Sequence, residues 1–584
     1  MARYTIFGAG PSGLYTAWRL VTSGKLTSAD TLELLEWGDY DFDGPGSGTR
    51  APAGRICTYH YQRDEGQSYI EVGGMRYLEW DATKGEGHQL VTKTITALGL
   101  DGLVIDFNVT DNPLYYLRGE TFYAEQLGNG VTAPYNTPGN NEKPVSVLFS
   151  NISALITGDA PVATRAEQCS FYASGMLPES FNSYVYEGGE LASNVGYWNV
   201  FYDQAGNEGY QYAADAGGYA SNTINWNAAN AAIYNGEFAP DGTFKTLKTG
   251  YSTLFSELYS QTKAAAAKAG LSFTLVQKTR LHSIWLENGA ISYQLAAADA
   301  PTKASGGVQQ TDYAFLAMPP ESVELIAQAT RYQADQPGMT DVLNDDLVQN
   351  YLGSVVLQPS YKVAMFFDQP WWENAKYPPK LTNQHSPDNV FGPTVTDIPI
   401  RQVYYFGNNA PETGGTPVYG ILGSYDDMRF TRFWQEMEID MQSRQAVSWR
   451  QNLQPMEGPR EATNSMMRML KLELAKLHYA DPDAAGLIPD PLETVYMDWS
   501  LNPFGAGYHA WAAHYDICDV MQKVRAPANL AGSPANLYLV GSAFSNDQAW
   551  VEGAFCTAES VLNDFLGVPT VADTSKYPLI CACS

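Results

Sequence analysis

The chain opens on an apolar-rich run, Ala2-Arg-Tyr-Thr-Ile-Phe7, breaks at Gly8-Ala-Gly-Pro-Ser-Gly13, and resumes as Leu14-Tyr-Thr-Ala-Trp-Arg-Leu-Val21. The first run has the length and side chains of a buried strand and the second those of a helix, so the order is strand, glycine turn, helix. A second short strand, Thr31-Leu-Glu-Leu-Leu-Glu36, follows. Much later, Phe255–Lys268 reads as a helix, followed by strands at Ser272–Leu275 and Leu281–Leu286. The latter is paired with Ala290–Tyr293 across the turn signal Glu287-Asn-Gly. Further strands are predicted at Tyr361–Phe367 and Gln402–Tyr405, and a helical stretch at 430–480. At the end of the chain, Leu537–Gly541 is again a strand ending in glycine, followed by a helix over Gly553–Leu566.

Alternating strand and helix signals predict an α/β fold with a parallel sheet wrapped by helices. The first and last blocks share this texture, while residues 126–245 are rich in Gly, Asn, Tyr and Ala with scattered helical patches such as Asn227–Tyr234. The expected architecture is a Rossmann-like nucleotide domain split in sequence (1–60, 262–335 and 525–570). A mixed-sheet substrate domain (61–125 and 336–524) and a helical, loop-rich cap (126–261) complete it. At 584 residues the chain exceeds what one core supports, which agrees with several domains.

Within the turn, Gly8 permits the sharp bend, Gly10 lets a phosphate approach the backbone, and Gly13 lets the helix pack on the strand. Pro11 and Ser12 open the helix, whose N-terminal N–H groups and dipole favour an anion. Glu36 ends the second strand where a carboxylate can accept from a ribose hydroxyl. It lies 28 positions after Gly8, beyond the usual ~20, and the long loop Ser23–Asp30 absorbs the excess. These features predict a bound dinucleotide.

Charge narrows the partners. A net charge of -28 speaks against nucleic acid and anionic membranes. No apolar run is long enough to span a bilayer. With a strand starting at residue 2 and no leader before it, the expected location is cytoplasmic. Cys57, Cys169, Cys518 and Cys556 lack metal-ligand spacing and read as buried thiols. Cys581 and Cys583 form a C-x-C pair in a tail expected to fray. No metal site is predicted.

Two further elements, Ala53-Gly54-Arg55 and Tyr69-Ile-Glu-Val-Gly-Gly-Met-Arg76, carry the most specific signal. With the glycine turn they make the chain resemble flavin-dependent amine oxidases, and among them the L-amino acid oxidases. The resemblance implies a non-covalent FAD held by Gly8, Gly10, Pro11, Ser12, Gly13, Glu36, Gly54, Arg55, Gly73, Gly74, Met75 and Arg76. Leu281 (a backbone contact to the adenine), Trp499, Gly541, Ser542, Trp550 and Val551 are implied to complete that site. It also implies that Arg76 and Tyr405 hold the substrate carboxylate, that Trp550 flanks the substrate Cα, and that Lys362 holds a water at the flavin. A planar guanidinium fork suits a carboxylate, although an arginine also serves in surface salt bridges, a role made less expected by Gly73-Gly74 before it on an apolar segment. Lys362 taken alone reads equally well as a lysine snorkelling from a strand. His509 and His514 are further candidates for taking an amine proton.

Three departures from the resembled pattern stand out. Ser542 follows Gly541 where a glutamate is usual. Ala51 stands where an arginine is usual, with Arg50 one residue early. No cysteine lies in Asn502–His509 for covalent flavin attachment. The implied reaction is oxidation of an L-amino acid by O2 to a 2-oxo acid, ammonia and hydrogen peroxide, with a homodimer the expected assembly. A related amine oxidase, an amino-acid monooxygenase or a dinucleotide-binding protein without turnover stay open at this point.

Overall fold

The computed structural model describes residues 1–40, 42, 53–64, 66–237, 244–334, 337–380, 389–409, 416–439, 458–575 and 577–582. Arg50, Ala51 and Cys583 lie outside them.

The first sheet is built from distant parts of the chain. Five strands stand in the order Ser272–Val276, Thr31–Leu35, Arg3–Phe7, Tyr313–Leu316 and Leu537–Leu539, all parallel. The strand Arg3–Phe7 is thus flanked on both sides and its Ile6 is fully buried, as a central parallel strand requires. The helices Pro11–Thr22 and Val551–Leu566 pack together beside it, joined by a buried ion pair from Arg19 to Glu559 at 2.9 Å. Tyr15 stacks on Phe555 in the same seam and donates to Glu559. The hairpin at 287–290 forms as expected, with Asn288 and Gly289 both at positive φ and Glu287 paired with Ala290.

A second, larger sheet of eleven strands runs through the middle of the chain. Its strand Ser360–Phe367 is buried along its whole length between Tyr419–Asp427 and Glu493–Asp498. Tyr69–Glu71 and its partner Thr58–His60 form a separate ribbon that leads into Gly73. Over 126–245 the helices Val145–Thr157, Arg165–Ser174, Tyr197–Ala216 and Ala228–Glu237 supply the helical texture read from the sequence. The helix Thr253–Ala269 runs unbroken across residue 261.

Cys169 differs from expectation. It is disulfide-bonded to Cys581, 412 residues away, rather than a buried thiol, and this bond ties the helix Arg165–Ser174 to the C-terminal tail. The tail up to Cys581 is packed: the Cys581 carbonyl accepts from Gln522 and Tyr577 donates to the buried Glu552 at 2.6 Å. Cys57, Cys518 and Cys556 are buried, as read.

Candidate active site

An open cavity lined by residues of both sheets connects them. One end is the glycine turn. Gly8 sits at φ +112 with its Cα hydrogens against the Ala317 carbonyl, and a Cβ at Gly13 would come 1.9 Å from the Gly8 oxygen. Those two positions therefore accept no side chain. Gly10 is open toward the cavity, with only the Gly54 Cα near its missing Cβ, at 3.8 Å. It also caps the helix without a side-chain hydrogen bond. Pro11, Ser12 and Gly54 line the same end.

Glu36 borders this end and is held by two backbone donors, the Ala9 N–H at 2.6 Å and the Gly38 N–H at 2.7 Å. Burial raises its carboxyl pKa and the two donors oppose the rise. Leu281 lines the wall beside Arg280. Arg55 also lines the cavity while donating to the Gly507 carbonyl at 3.0 Å. Gly541 and Ser542 form the floor where the fifth strand ends, and Val551 starts the second packed helix beside them.

The other end gathers the chemistry. Gly73 and Gly74 leave no room for a Cβ, which would meet the Arg55 oxygen at 2.4 Å and the Ile56 side chain at 2.5 Å. The chain thereby turns tightly and presents Met75 and Arg76 to the cavity. Lys362 enters from the buried strand Ser360–Phe367, donates to the Gly73 carbonyl at 2.6 Å and lies 4.2 Å from the Tyr425 ring centre. Burial pulls its pKa down to about 7, against the opposing pull of Glu71. Glu71 is itself pushed up to about 7 by burial, in spite of donors from Tyr251 and Thr58. Trp499 lines the wall, anchored through its indole N–H to the Val72 carbonyl at 2.7 Å.

Arg76 is buried among rings: its guanidinium carbon is 4.2 Å from the centre of Phe244, 5.1 Å from Phe107 and 5.9 Å from Tyr404. Its Nη1 has no hydrogen-bond partner among the described residues. A buried cation with an unused donor costs free energy unless an anion completes it. Phe244 also stacks on Trp550, at 5.9 Å and 15°, so one ring joins the arginine to the tryptophan.

Tyr405 is a correction. Its hydroxyl bonds Thr394 at 3.1 Å and His478 Nε2 at 3.0 Å, on the face away from the cavity. Tyr404 is the residue that faces Arg76, its hydroxyl paired with Gln402 at 2.9 Å and with Tyr219 at 3.3 Å. The alternation along Gln402–Gly407 is as expected, but its phase is shifted by one residue. The pairing with Tyr419–Asp427 has an irregularity just before Tyr404, which decides which side of the sheet that residue takes. The two histidines do not reach the cavity either. His509 is held at 3.1 Å by Glu321, and His514 sits in a turn at φ +71.

Sequence reasoning also missed the aromatic lining. Tyr219, Asn222 and Tyr234 come from the helical region, Tyr425 stands opposite Lys362 across two strands, and Tyr508 joins them. The short helix Ala220–Thr223 is pinned by Asp427, which accepts from the Ala220 and Ser221 N–H groups at 3.0 and 2.9 Å.

The residues fit a flavin dinucleotide: a side-chain-free turn at a helix start, a carboxylate beside it, and a long connected cavity reaching an unsatisfied cation.

No family profile matches the chain. It is 23% identical to Aplysianin-A of Aplysia kurodai over 583 residues, covering 96% of this chain and 89% of that protein. It is 27% identical to L-amino-acid oxidase 4 of Hebeloma cylindrosporum over 236 residues, covering 40% of this chain and 33% of the relative. In fold it is similar to putrescine oxidase bound to putrescine, with a TM-score of 0.56 at 13% identity over 97% of this chain and 99% of the other. The sequence resemblance to L-amino acid oxidases stands.

Proposed function

We propose that this chain is an FAD-dependent L-amino acid oxidase, which converts an L-amino acid to its 2-oxo acid with release of ammonia and hydrogen peroxide. The observation that carries the proposal is Arg76: a buried guanidinium with an unused donor, at the end of a cavity that begins on a dinucleotide-type glycine turn. Gly8, Gly10, Pro11, Ser12, Gly54, Arg55, Glu36, Leu281, Gly541, Ser542 and Val551 would hold the FAD, without a covalent bond. A bound flavin would supply the acceptor for the substrate's Cα hydride and the route of the electrons to O2.

The protein's own part is orientation. Arg76 clamps the substrate carboxylate, with Tyr404 rather than Tyr405 beside it. The carboxylate thereby sets the direction in which Cα presents its hydrogen. Trp550 and Trp499 wall the substrate's surroundings and keep water out. Lys362, neutral above pH ~7, can accept a hydrogen bond from a water that it positions. The disulfide from Cys169 to Cys581 favours an oxidising compartment over the cytoplasm expected from the sequence.

The test is anaerobic mixing of the yellow holoenzyme with L-amino acids. Bleaching of the flavin's visible band by at least one of them supports the proposal, and a colourless protein or no bleaching overturns it. Release of CO2 with an amide product, in place of peroxide, would favour the monooxygenase reading.

A further inference from the structure

Between Arg165 and Lys245 the chain contains no lysine or arginine, yet it holds nine acidic residues and nine tyrosines. Part of that composition is displayed on one surface. Tyr184 is 100% exposed, Tyr202 48% and Trp198 42%. Trp198 and Tyr202 are four apart on the same helix face, and Tyr210 stacks on Trp198 at 5.3 Å and 7°.

The loop carrying Tyr184 is fixed against this helix. The Tyr184 N–H donates to Asp203 at 3.2 Å and Gln204 donates to the Asn182 carbonyl at 2.9 Å. The Gly196 N–H donates to the Tyr186 hydroxyl at 3.2 Å. Tyr210 holds the Trp198 and Tyr202 rings, and the hydrogen bonds hold the backbone that carries Tyr184, which lowers the ordering cost of binding.

We propose that this face of the helical region, centred on Tyr184, Trp198 and Tyr202, binds a neutral polysaccharide. Flat exposed rings accept the C–H faces of sugar rings, and amide side chains beside them pair with hydroxyls. Composition rich in Tyr, Asn and Gly is also that of adaptable polar recognition surfaces. The segment itself supplies no lysine or arginine, and the arginines beside its helix, Arg118 and Arg429, are paired with Glu208 and Asp215, which argues against anionic membranes, nucleic acids and acidic glycans. A second copy of the chain would set acid against acid in a protein of net charge -28. Asp203, the acid inside the patch, already accepts from Tyr184 and Gln204, so it offers a cationic partner little.

The experiment uses the holoenzyme and three probe classes. These are neutral polysaccharides (insoluble chitin and cellulose, soluble dextran and mannan), polylysine, and vesicles containing anionic lipid. Retention on at least one neutral polysaccharide is expected. It should weaken about tenfold in the double variant Trp198→Ala, Tyr202→Ala, with oxidase kcat unchanged. A second variant, Tyr184→Ala in the exposed loop, should weaken retention without loss of thermal stability. No retention on any neutral probe, retention undiminished in both variants, or retention on polylysine or anionic vesicles alone would overturn the proposal. Because oxidase turnover is read separately, failure of this inference leaves the assigned reaction intact.

Discussion

The Lys362 ammonium donates to the Gly73 carbonyl oxygen at 2.6 Å, so the buried strand Ser360–Phe367 of the large sheet is tied to the loop that presents Arg76. The same lysine feels Glu71, two residues before Gly73, and burial holds its pKa at about 7. That value is far below the unfolded lysine value of about 10.4.

A rising limb near pH 7 is therefore expected in kcat/KM, as Lys362 loses its proton. Lys362→Met should lower kcat and remove that limb, read from pH profiles of both enzymes. For stability the sign is also fixed. Between pH ~7 and ~10 the unfolded chain binds the proton that the folded chain does not, so this group's contribution rises with pH over that window. A limb that persists unchanged in Lys362→Met would assign it to another group, with Glu71 the first to examine.

Arg76→Ala should raise KM for an amino acid on the order of a hundredfold while the bound flavin spectrum is kept, since a charge-assisted bidentate contact is lost. Arg76→Lys should recover only part of the loss, because an ammonium cannot reproduce the fork. Steady-state kinetics with a single good substrate measures both. An unchanged KM in Arg76→Ala would remove the arginine from the substrate site.

The two adjacent tyrosines separate site from scaffold. Tyr404→Phe should raise KM several-fold, at a stability cost of about 1–3 kcal/mol because the buried Gln402 loses its donor, so KM is what tells the two variants apart. Tyr405→Phe should leave KM alone but cost about 1–3 kcal/mol of stability, because His478 and Thr394 lose a buried partner. Kinetics and thermal melts on both variants decide it. The reverse pattern would return Tyr405 to the substrate.

Breaking the bond between Cys169 and Cys581, with reductant or by Cys581→Ser, should cost roughly 2–5 kcal/mol and lower the melting temperature. The tail that this bond fastens also buries Tyr577 over Arg165 at 3.8 Å and against Glu552, next to the helix that starts at Val551. Loss of flavin on heating should therefore come earlier in the reduced protein, followed by flavin fluorescence. Identical melts with and without reductant would contradict this.

The nucleotide end was legible because its signal is local: glycine spacing forced by backbone contacts at Gly8 and Gly13, and a carboxylate at the end of the next strand. Arg76 was legible through the resemblance of its Gly-Gly-Met-Arg element to the L-amino acid oxidases, a short contiguous signal. The phase of Tyr404 and Tyr405 was not, because strand alternation fixes the period and leaves the buried face to tertiary pairing. The disulfide joins positions 412 apart, a distance over which spacing carries no information. Phe244, Tyr219 and Asn222 were hidden because they come from segments whose role depends only on where the sheet and cavity bring them.

The central claim is that a bound flavin and Arg76 together oxidise amino acids of one hand. The most direct measurement is peroxide release by the purified holoenzyme from the twenty common L-amino acids and several of their D-enantiomers, with the 2-oxo acid quantified alongside. The account predicts peroxide and 2-oxo acid in equal amounts from one or more L-amino acids, none from the D-forms, and none from amines lacking a carboxylate. Turnover of such amines at the same rate, or no peroxide from any L-amino acid, would contradict it.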